Sequence, residues 1–290
     1  MKKKLLFIAN PVSGSVSKLR LEHQVQKHID SDRYEYDLIF TDYARHLTEI
    51  GHAQKAEYDA FIVVGGDGTV NELVQALVYT NIPLGIIPAG SGNGFARTMN
   101  IPLSVGGAIE AINSFHVRKV DTIRINKHYM VNVGGLGFDG HISKLFHHSQ
   151  KRGFETYIKL VAAEFMHYKP LQYKIQTPDG VVYKEAFLVS VSNTGQFGNN
   201  AFISPTSKID DGLFEISILS KFPLYAAPDL AMRLFSKSMH KSKYMHTITA
   251  KKATIFLPEN YTTHLDGDFM DLGRDLEIEI QPLSLNVLVP

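Results

Sequence analysis

A parallel α/β domain followed by an antiparallel β-domain is the fold class the sequence predicts, on three observations. Over the first 115 residues or so, short apolar runs alternate with amphipathic stretches, the texture of a parallel sheet covered by helices. From about Val120 the texture changes to strands of alternating polarity joined by turn residues. A length of 290 residues also exceeds the usual single core, so two domains are expected, 1–120 and 121–282, with a cleft for an acceptor.

Taken in chain order, Lys4–Ala9 is the first buried strand. The lysines before it suggest a secretory leader, but the apolar run is far too short and meets Asn10-Pro11. Helix Ser17–Ile29, strand Tyr34–Phe40, helix Leu47–Ala56, strand Ala60–Val64, helix Val70–Tyr79, strand Leu84–Ile87 and helices Phe95–Met99 and Ser104–Ser114 follow. Phe61-Ile62-Val63-Val64 and Leu84-Gly85-Ile86-Ile87 are apolar on both faces, as strands covered on both sides must be.

In the second half, strands are expected at Asp121–Asn126, Tyr129–Val133, Leu171–Thr177 and Val181–Ser192. Pro178-Asp179-Gly180 is a hairpin signal, because proline presets the turn and glycine relieves it. Phe154–Tyr168 and Leu224–Ser238 read as helices. Leu213–Leu219, Thr254–Leu257, Leu276–Ile280 and Leu285–Val289 complete the strands.

Thirty basic against 29 acidic side chains, a formal charge of +1, argue against a nucleic-acid surface. The absence of cysteine excludes a disulfide framework, a zinc ribbon and a thiol nucleophile, and makes the cytoplasm the expected address. No run approaches the ~18 apolar residues of a membrane span, so membrane contact is expected to be peripheral.

Three loops carry the chemistry. Gly65-Gly66-Asp67-Gly68-Thr69 stands between a buried strand and a helix, where glycines make either a tight turn or a phosphate cradle. Asp67 tips the balance to the second, since a carboxylate beside phosphate requires Mg²⁺ or a positioned hydroxyl. Pro88-Ala89-Gly90-Ser91-Gly92-Asn93-Gly94 repeats the arrangement one βα unit later, and two such loops at neighbouring strand ends can grip one triphosphate. Asn10-Pro11-Val12-Ser13-Gly14 is a third candidate, weak alone.

With Asn71-Glu72 after the first glycine loop and Phe95-Ala96-Arg97 after the second, these stretches resemble in order and spacing the ATP-binding motifs of the diacylglycerol kinase catalytic domain, shared by bacterial lipid kinases and sphingosine kinases. The resemblance continues through Asn132–Asp139 and covers essentially the whole chain. It implies a Rossmann-like α/β nucleotide-binding domain followed by an antiparallel β-sandwich domain, with a last strand, over 283–290, that returns to the first domain. It also implies that ATP is held by Asn10, Pro11, Ser13, Gly14, Thr41, Gly65, Gly66, Asp67, Gly68, Thr69, Asn71, Glu72, Gly90, Ser91, Gly92 and Asn93. A structural Mg²⁺ is implied at Asp211 and the carbonyls of Lys208 and Leu213, where Asp-Asp-Gly read alone is a turn before a strand. Catalysis falls to Asp266 and Asp268 in Leu265-Asp266-Gly267-Asp268. The family has Asp-Gly-Glu there, and aspartate keeps the charge on a side chain one methylene shorter.

The expected reaction is transfer of the ATP γ-phosphate, with Mg²⁺, to a lipid hydroxyl by an enzyme peripherally associated with the membrane. Diacylglycerol, a sphingoid base and other lipid alcohols all satisfy the sequence. Lys144, Lys151, Arg152, Lys159 and the Lys237–Lys243 cluster either meet anionic head groups or form solvated helix faces, and His147-His148 reads as a surface loop. NAD kinases share Gly-Gly-Asp-Gly-Thr and Asn-Glu and are the nearest rival. The Asp268 replacement motivates a second one, a regulatory protein that binds nucleotide without turnover. A dehydrogenase is disfavoured because Asn10–Gly14 lacks Gly-x-Gly-x-x-Gly. An exposed edge strand in the β-domain would permit a homodimer.

Overall fold

The computed structural model describes residues 2–11, 17–149, 153–257 and 262–290, so Ser13, Gly14, Lys151 and Arg152 lie outside the described residues. The chain forms two compact units, Met1–Thr122 with Leu283–Pro290, and Ile123–Pro282.

The first unit runs β1 (Lys3–Ala9), α1 (Lys18–His28), β2 (Tyr34–Phe40), α2 (His46–Gln54), β3 (Ala60–Gly65), α3 (Asp67–Leu77), β4 (Leu84–Pro88), α4 (Gly94–Thr98) and α5 (Val105–Ser114). Its strands are parallel in the order β2-β1-β3-β4, with Ala9 level with Phe40 and Val64, and Gly65 level with Pro88. Leu5 to Ile8 and Phe61 to Val63 are fully buried, which fits their two-sided apolar composition. Ser17 and Ser104 begin α1 and α5 as N-caps, accepting from the amides of Arg20 and Gly107. The strand order reverses direction at β1. Right-handed connections then send α1 to one face and α2 and α3 to the other, and α1 packs with α5 as α2 does with α3. The carboxyl ends of β1 and β3 flank this switch point, the place where open α/β sheets take ligands.

The second unit contains the end of β5 (His116–Ile125), then β6 (His128–Met130), β7 (Val133–Gly137), α6 (Phe138–His148), α7 (Phe154–Phe165), β8 (Leu171–Thr177), β9 (Gly180–Ser192) and β10 (Phe214–Ser220). A 3₁₀ turn at Leu224–Ala226 leads into α8 (Ala227–Phe235), another follows at Met239–Lys241, and β11 (Met245–Ala250), β12 (Lys252–Phe256), β13 (Thr263–Leu265), β14 (Asp268–Met270) and β15 (Asp275–Val289) finish the chain. Pairing is antiparallel throughout β14-β13-β7-β9-β8-β12-β15, with β10 between β9 and β11. Leu136, Val189, Val191, Ile216 and Ile218 belong to one core; Phe138, Phe187, Leu188 and Leu230 belong to a second, with Leu160 and Phe165 of α7 packed against it.

Four expectations are corrected. Tyr129–Val133 is two strands, β6 and β7, because the amides of Val131 and Asn132 turn away to bond Asp266. Leu276–Ile280 and Leu285–Val289 are one strand, β15. His147-His148 forms the last turn of a helix, α6, rather than a loop. The helix expected over Leu224–Ser238 is a 3₁₀ turn plus α8 and ends before Lys237, whose φ of 56° is left-handed.

Candidate functional site

In the first unit, the ends of the parallel strands bring most of the expected nucleotide residues to one sheet edge. Thr41 continues β2 and donates its amide to Ala9 O (3.0 Å), and the Asn10 amide donates to Val64 O (3.4 Å). Gly65 ends β3 and Gly66 follows it, and the first bond of α3 runs from the Val70 amide to Gly66 O (3.0 Å), so the positive end of that helix lies at Gly66–Gly68. Thr69 and Asn71 are buried in its first two turns, and Glu72 O accepts from Thr48 Oγ1 (2.6 Å), tying α3 to α2.

The two glycine loops are bound to each other. Asp67 Oδ2 accepts from the Gly94 amide and Oδ1 from the Phe95 amide, both at 3.0 Å, so the carboxylate of the first loop caps the helix that follows the second. The backbones nearly touch: a Cβ on Gly90 would come 2.5 Å from Gly66 Cα. Only glycine at position 90 permits that approach, while a Cβ on Gly66 would meet Gly90 Cα at a tight 3.1 Å. Within the second loop, Asn93 takes a left-handed conformation (φ 49°) and pairs with Gly90 twice, accepting its amide (2.9 Å) and donating to its carbonyl (2.8 Å). Arg97 Nε donates back to Gly92 O (3.1 Å), while Ser91 is exposed at the loop tip. Pro11 is exposed at the end of β1.

In the second unit, Asp266 and Asp268 share one turn and have different surroundings. Asp266 is buried, left-handed at φ 49°, and its two oxygens accept from the amides of Asn132 (2.9 Å) and Val131 (3.0 Å), while its own amide donates to Val133 O (3.1 Å). Asp268 is exposed at the start of β14. Between them, the Gly267 amide donates to His264 Nδ1 (3.2 Å), and Gly267 O accepts from Ser143 Oγ (2.9 Å).

His264 extends this support inward. Its Nε2 donates to Asp139 Oδ2 at 2.8 Å, both residues are buried, and Tyr157 donates its hydroxyl to Asp139 Oδ1 (3.2 Å). Gly135, level with His264 across β7 and β13, makes the room: a Cβ there would sit 2.1 Å from Asp139 Oδ2. Burial works against a charged His264, but the Asp139 carboxylate outweighs it, assisted by Asp266 and Asp268, and holds the ring above its ordinary value. Burial and the same carboxylate push Tyr157 well above the phenolic range, so it remains a donor. Asp139 and His264 are 125 residues apart in the chain, and neither carries a sequence signal for the other.

Lys208, Asp211 and Leu213 fall in the turn before β10, where Leu213 donates its amide to Asp211 Oδ1 (3.0 Å) and Lys208 and Asp211 are exposed. One carboxylate oxygen and neighbouring carbonyls are hard oxygen donors suited to Mg²⁺ that keeps several waters. Among the described residues no group of three or more His, Cys, Asp or Glu side chains converges on a metal position.

Backbone approach that excludes a methyl group at Gly90, at the strand ends and beside a helix N-terminus, suits the phosphates of a nucleotide. Residues 4–125 match the diacylglycerol kinase catalytic domain, and residues 132–289 match the YegS C-terminal NAD kinase beta sandwich-like domain. The chain belongs to the diacylglycerol kinase family, whose members are lipid kinases that use ATP. It is 28% identical to diacylglycerol kinases of Staphylococcus epidermidis, over 96% of this chain and 92% of the relative, and of Staphylococcus haemolyticus, over 96% and 88%. A solved Bacillus anthracis diacylglycerol kinase shares the fold with a TM-score of 0.77 at 24% identity, over 99% of this chain and 97% of that one.

Proposed function

We propose that this chain transfers the γ-phosphate of ATP to the hydroxyl of diacylglycerol or a closely related lipid alcohol. The observation that carries the reading is the pair of hydrogen bonds that Asp67 accepts from the amides of Gly94 and Phe95, which makes one rigid cradle of two glycine loops. The phosphates would lie against Gly66, Gly68 and Gly90 at the positive end of α3. Asn10, Pro11 and Thr41 would meet the rest of the nucleotide at the neighbouring strand ends. Mg²⁺ bound with the triphosphate would neutralise charge developing on the transferred group, and the turn at Asp211 would hold a structural Mg²⁺.

In the transfer, the lipid oxygen bonds to the γ-phosphorus, the bond from that phosphorus to the β–γ bridging oxygen breaks, and ADP leaves. The hydroxyl proton passes to a carboxylate, an assistance worth about 10²–10⁴ in rate. Asp268, exposed at the start of β14, takes that role; Asp266, with both oxygens on backbone amides, fixes the turn that presents it. Because the acceptor lives in a bilayer, the enzyme works at a cytoplasmic membrane surface. Among the described residues no helix is long and apolar enough to cross one.

The test is transfer from γ-labelled ATP, with Mg²⁺, to diacylglycerol in mixed micelles. Wild type labels the lipid, and Asp268→Asn loses about a hundredfold or more of the rate while still binding ATP. The shorter Asp268 side chain supports one other reading, a nucleotide-binding regulator. ATP binding with no labelled lipid, together with activity appearing in Asp268→Glu, would establish that reading instead.

A further inference from the structure

The 3₁₀ turn and α8 carry apolar side chains on two sides. Ala226 and Leu230 are buried, with Leu230 in the second core and Leu234 packed against that core. Leu224, Tyr225, Met232 and Phe235 are 56%, 80%, 64% and 51% exposed, and among the described residues no other stretch of twelve exposes more than two large apolar side chains. Pro228, Met232 and Phe235 follow i, i+4, i+7 spacing, with Leu224 one turn earlier, so these residues form one stripe along the outer side of the helix. An outward stripe contributes nothing to the core, and an exposed apolar cluster of this kind marks a contact surface.

The charge flanking the stripe is predominantly basic. Lys221 precedes the 3₁₀ turn, Lys237 follows α8, and Lys241 and Lys243 lie on and just after the Met239–Lys241 turn, which packs against α8; all four are exposed. The Ser220 amide donates to Tyr244 O (2.9 Å), so the backbone at Lys221 runs beside that at Lys243. The sole acidic residue in 221–243 is Asp229, already bonded to Arg233 Nε at 2.7 Å. A chain with a formal charge of only +1 therefore concentrates basic side chains around this exposed apolar stripe.

We infer that the Leu224–Phe235 stripe and its rim of Lys221, Lys237, Lys241 and Lys243 form the surface by which this protein docks on an anionic lipid bilayer. The apolar side chains enter the interface between head groups and acyl chains, and the ammonium groups stay at head-group level, the arrangement of an interfacial amphipathic helix. A second copy of this chain is the poorer partner, since it would bring four lysines against four. The inference deepens the lipid-kinase reading and rests on it for the choice of a bilayer over an acidic protein.

The experiment is cosedimentation of the full chain, without ATP, with vesicles of phosphatidylcholine alone and of phosphatidylcholine mixed with phosphatidylglycerol. Wild type is expected to prefer the anionic vesicles and to be released by high salt. Met232→Glu with Phe235→Glu should weaken binding at least about tenfold. Lys221→Glu with Lys243→Glu should weaken it about 25-fold or more, at roughly fivefold for each lysine lost, and abolish the anionic preference. Both double variants should melt as wild type does and phosphorylate a short-chain diacylglycerol dissolved as monomers at the wild-type rate. Failure of wild type to bind vesicles, wild-type binding by either variant, or an ultracentrifugal dimer that the apolar variant converts to monomer would each overturn the inference. Vesicle binding by a protein that labels no lipid would sustain the docking surface and defeat the kinase reading.

Discussion

Asp67→Asn tests whether the glycine loops are held by the protein itself or by what they bind. The carboxylate accepts two amide hydrogens at 3.0 Å, from Gly94 and Phe95, at the N-terminus of α4. An asparagine keeps one acceptor and turns its NH₂ toward the other amide, so one charge-assisted hydrogen bond is lost and a backbone donor is stranded. Such bonds contribute about 1.5–3 kcal/mol. Taking ~2 kcal/mol and ~2–4 °C per kcal/mol for a chain of this size, the nucleotide-free variant should melt about 4–8 °C below wild type. Differential scanning calorimetry without ATP or Mg²⁺ gives the number, and hydrogen exchange should show the Gly94 and Phe95 amides losing protection. An unchanged or raised melting temperature with impaired ATP binding would refute the reasoning, because it would make Asp67 a ligand for metal or phosphate and not a tie between loops.

Three further outcomes follow from the geometry. Gly90→Ala places a Cβ 2.5 Å from Gly66 Cα and 3.0 Å from Asn93 Oδ1, so the loops must part; ATP affinity by calorimetry should fall about tenfold, in line with ~1–3 kcal/mol for overpacking. Asp139→Asn removes the main charge that raises His264 and leaves the burial that lowers it, so the ring titration followed by NMR should move down; no movement would show that Asp139 does not control the ring. Glu279 is depressed to about 2, first by Lys252 (2.6 Å) and then by Arg124 (2.6 Å). A depressed carboxylate stabilises above its unfolded value of 4.5 and loses that contribution as pH falls toward 2. Urea midpoints of wild type should therefore drop over that window more steeply than those of Glu279→Gln, and the gap should narrow in high salt because the pair is partly solvated.

The first unit was readable because its signals are local. Phe61–Val64 and Leu84–Ile87 are short runs whose two-sided apolarity has one common solution, and a glycine loop directly after each marks the strand end. The second unit depends on distant partners. Tyr129–Val133 reads as one alternating strand until Asp266, more than 130 residues later, claims two of its amides. His264 and Asp139 are ordinary polar residues in sequence, and only the register that sets His264 level with Gly135 reveals their pairing. The same limit applies to the acidic turn: its two aspartates look equivalent by spacing, while one is buried on backbone amides and the other is exposed.

β15 has a consequence for the order in which this protein is made. Its early residues pair with β12, but Val287 lies beside Leu84 of β4, in a sheet whose parallel strands β1 to β4 are complete by residue 88. As the chain leaves the ribosome, β4 therefore waits, with an apolar edge uncovered, until about 200 further residues have been translated, at a rate of ~5–20 residues per second. During those seconds the nascent first unit offers a ready template for strand addition, and a chaperone that shields apolar edges would find its substrate there. A message truncated after the codon for Pro282 would leave that interval without an end.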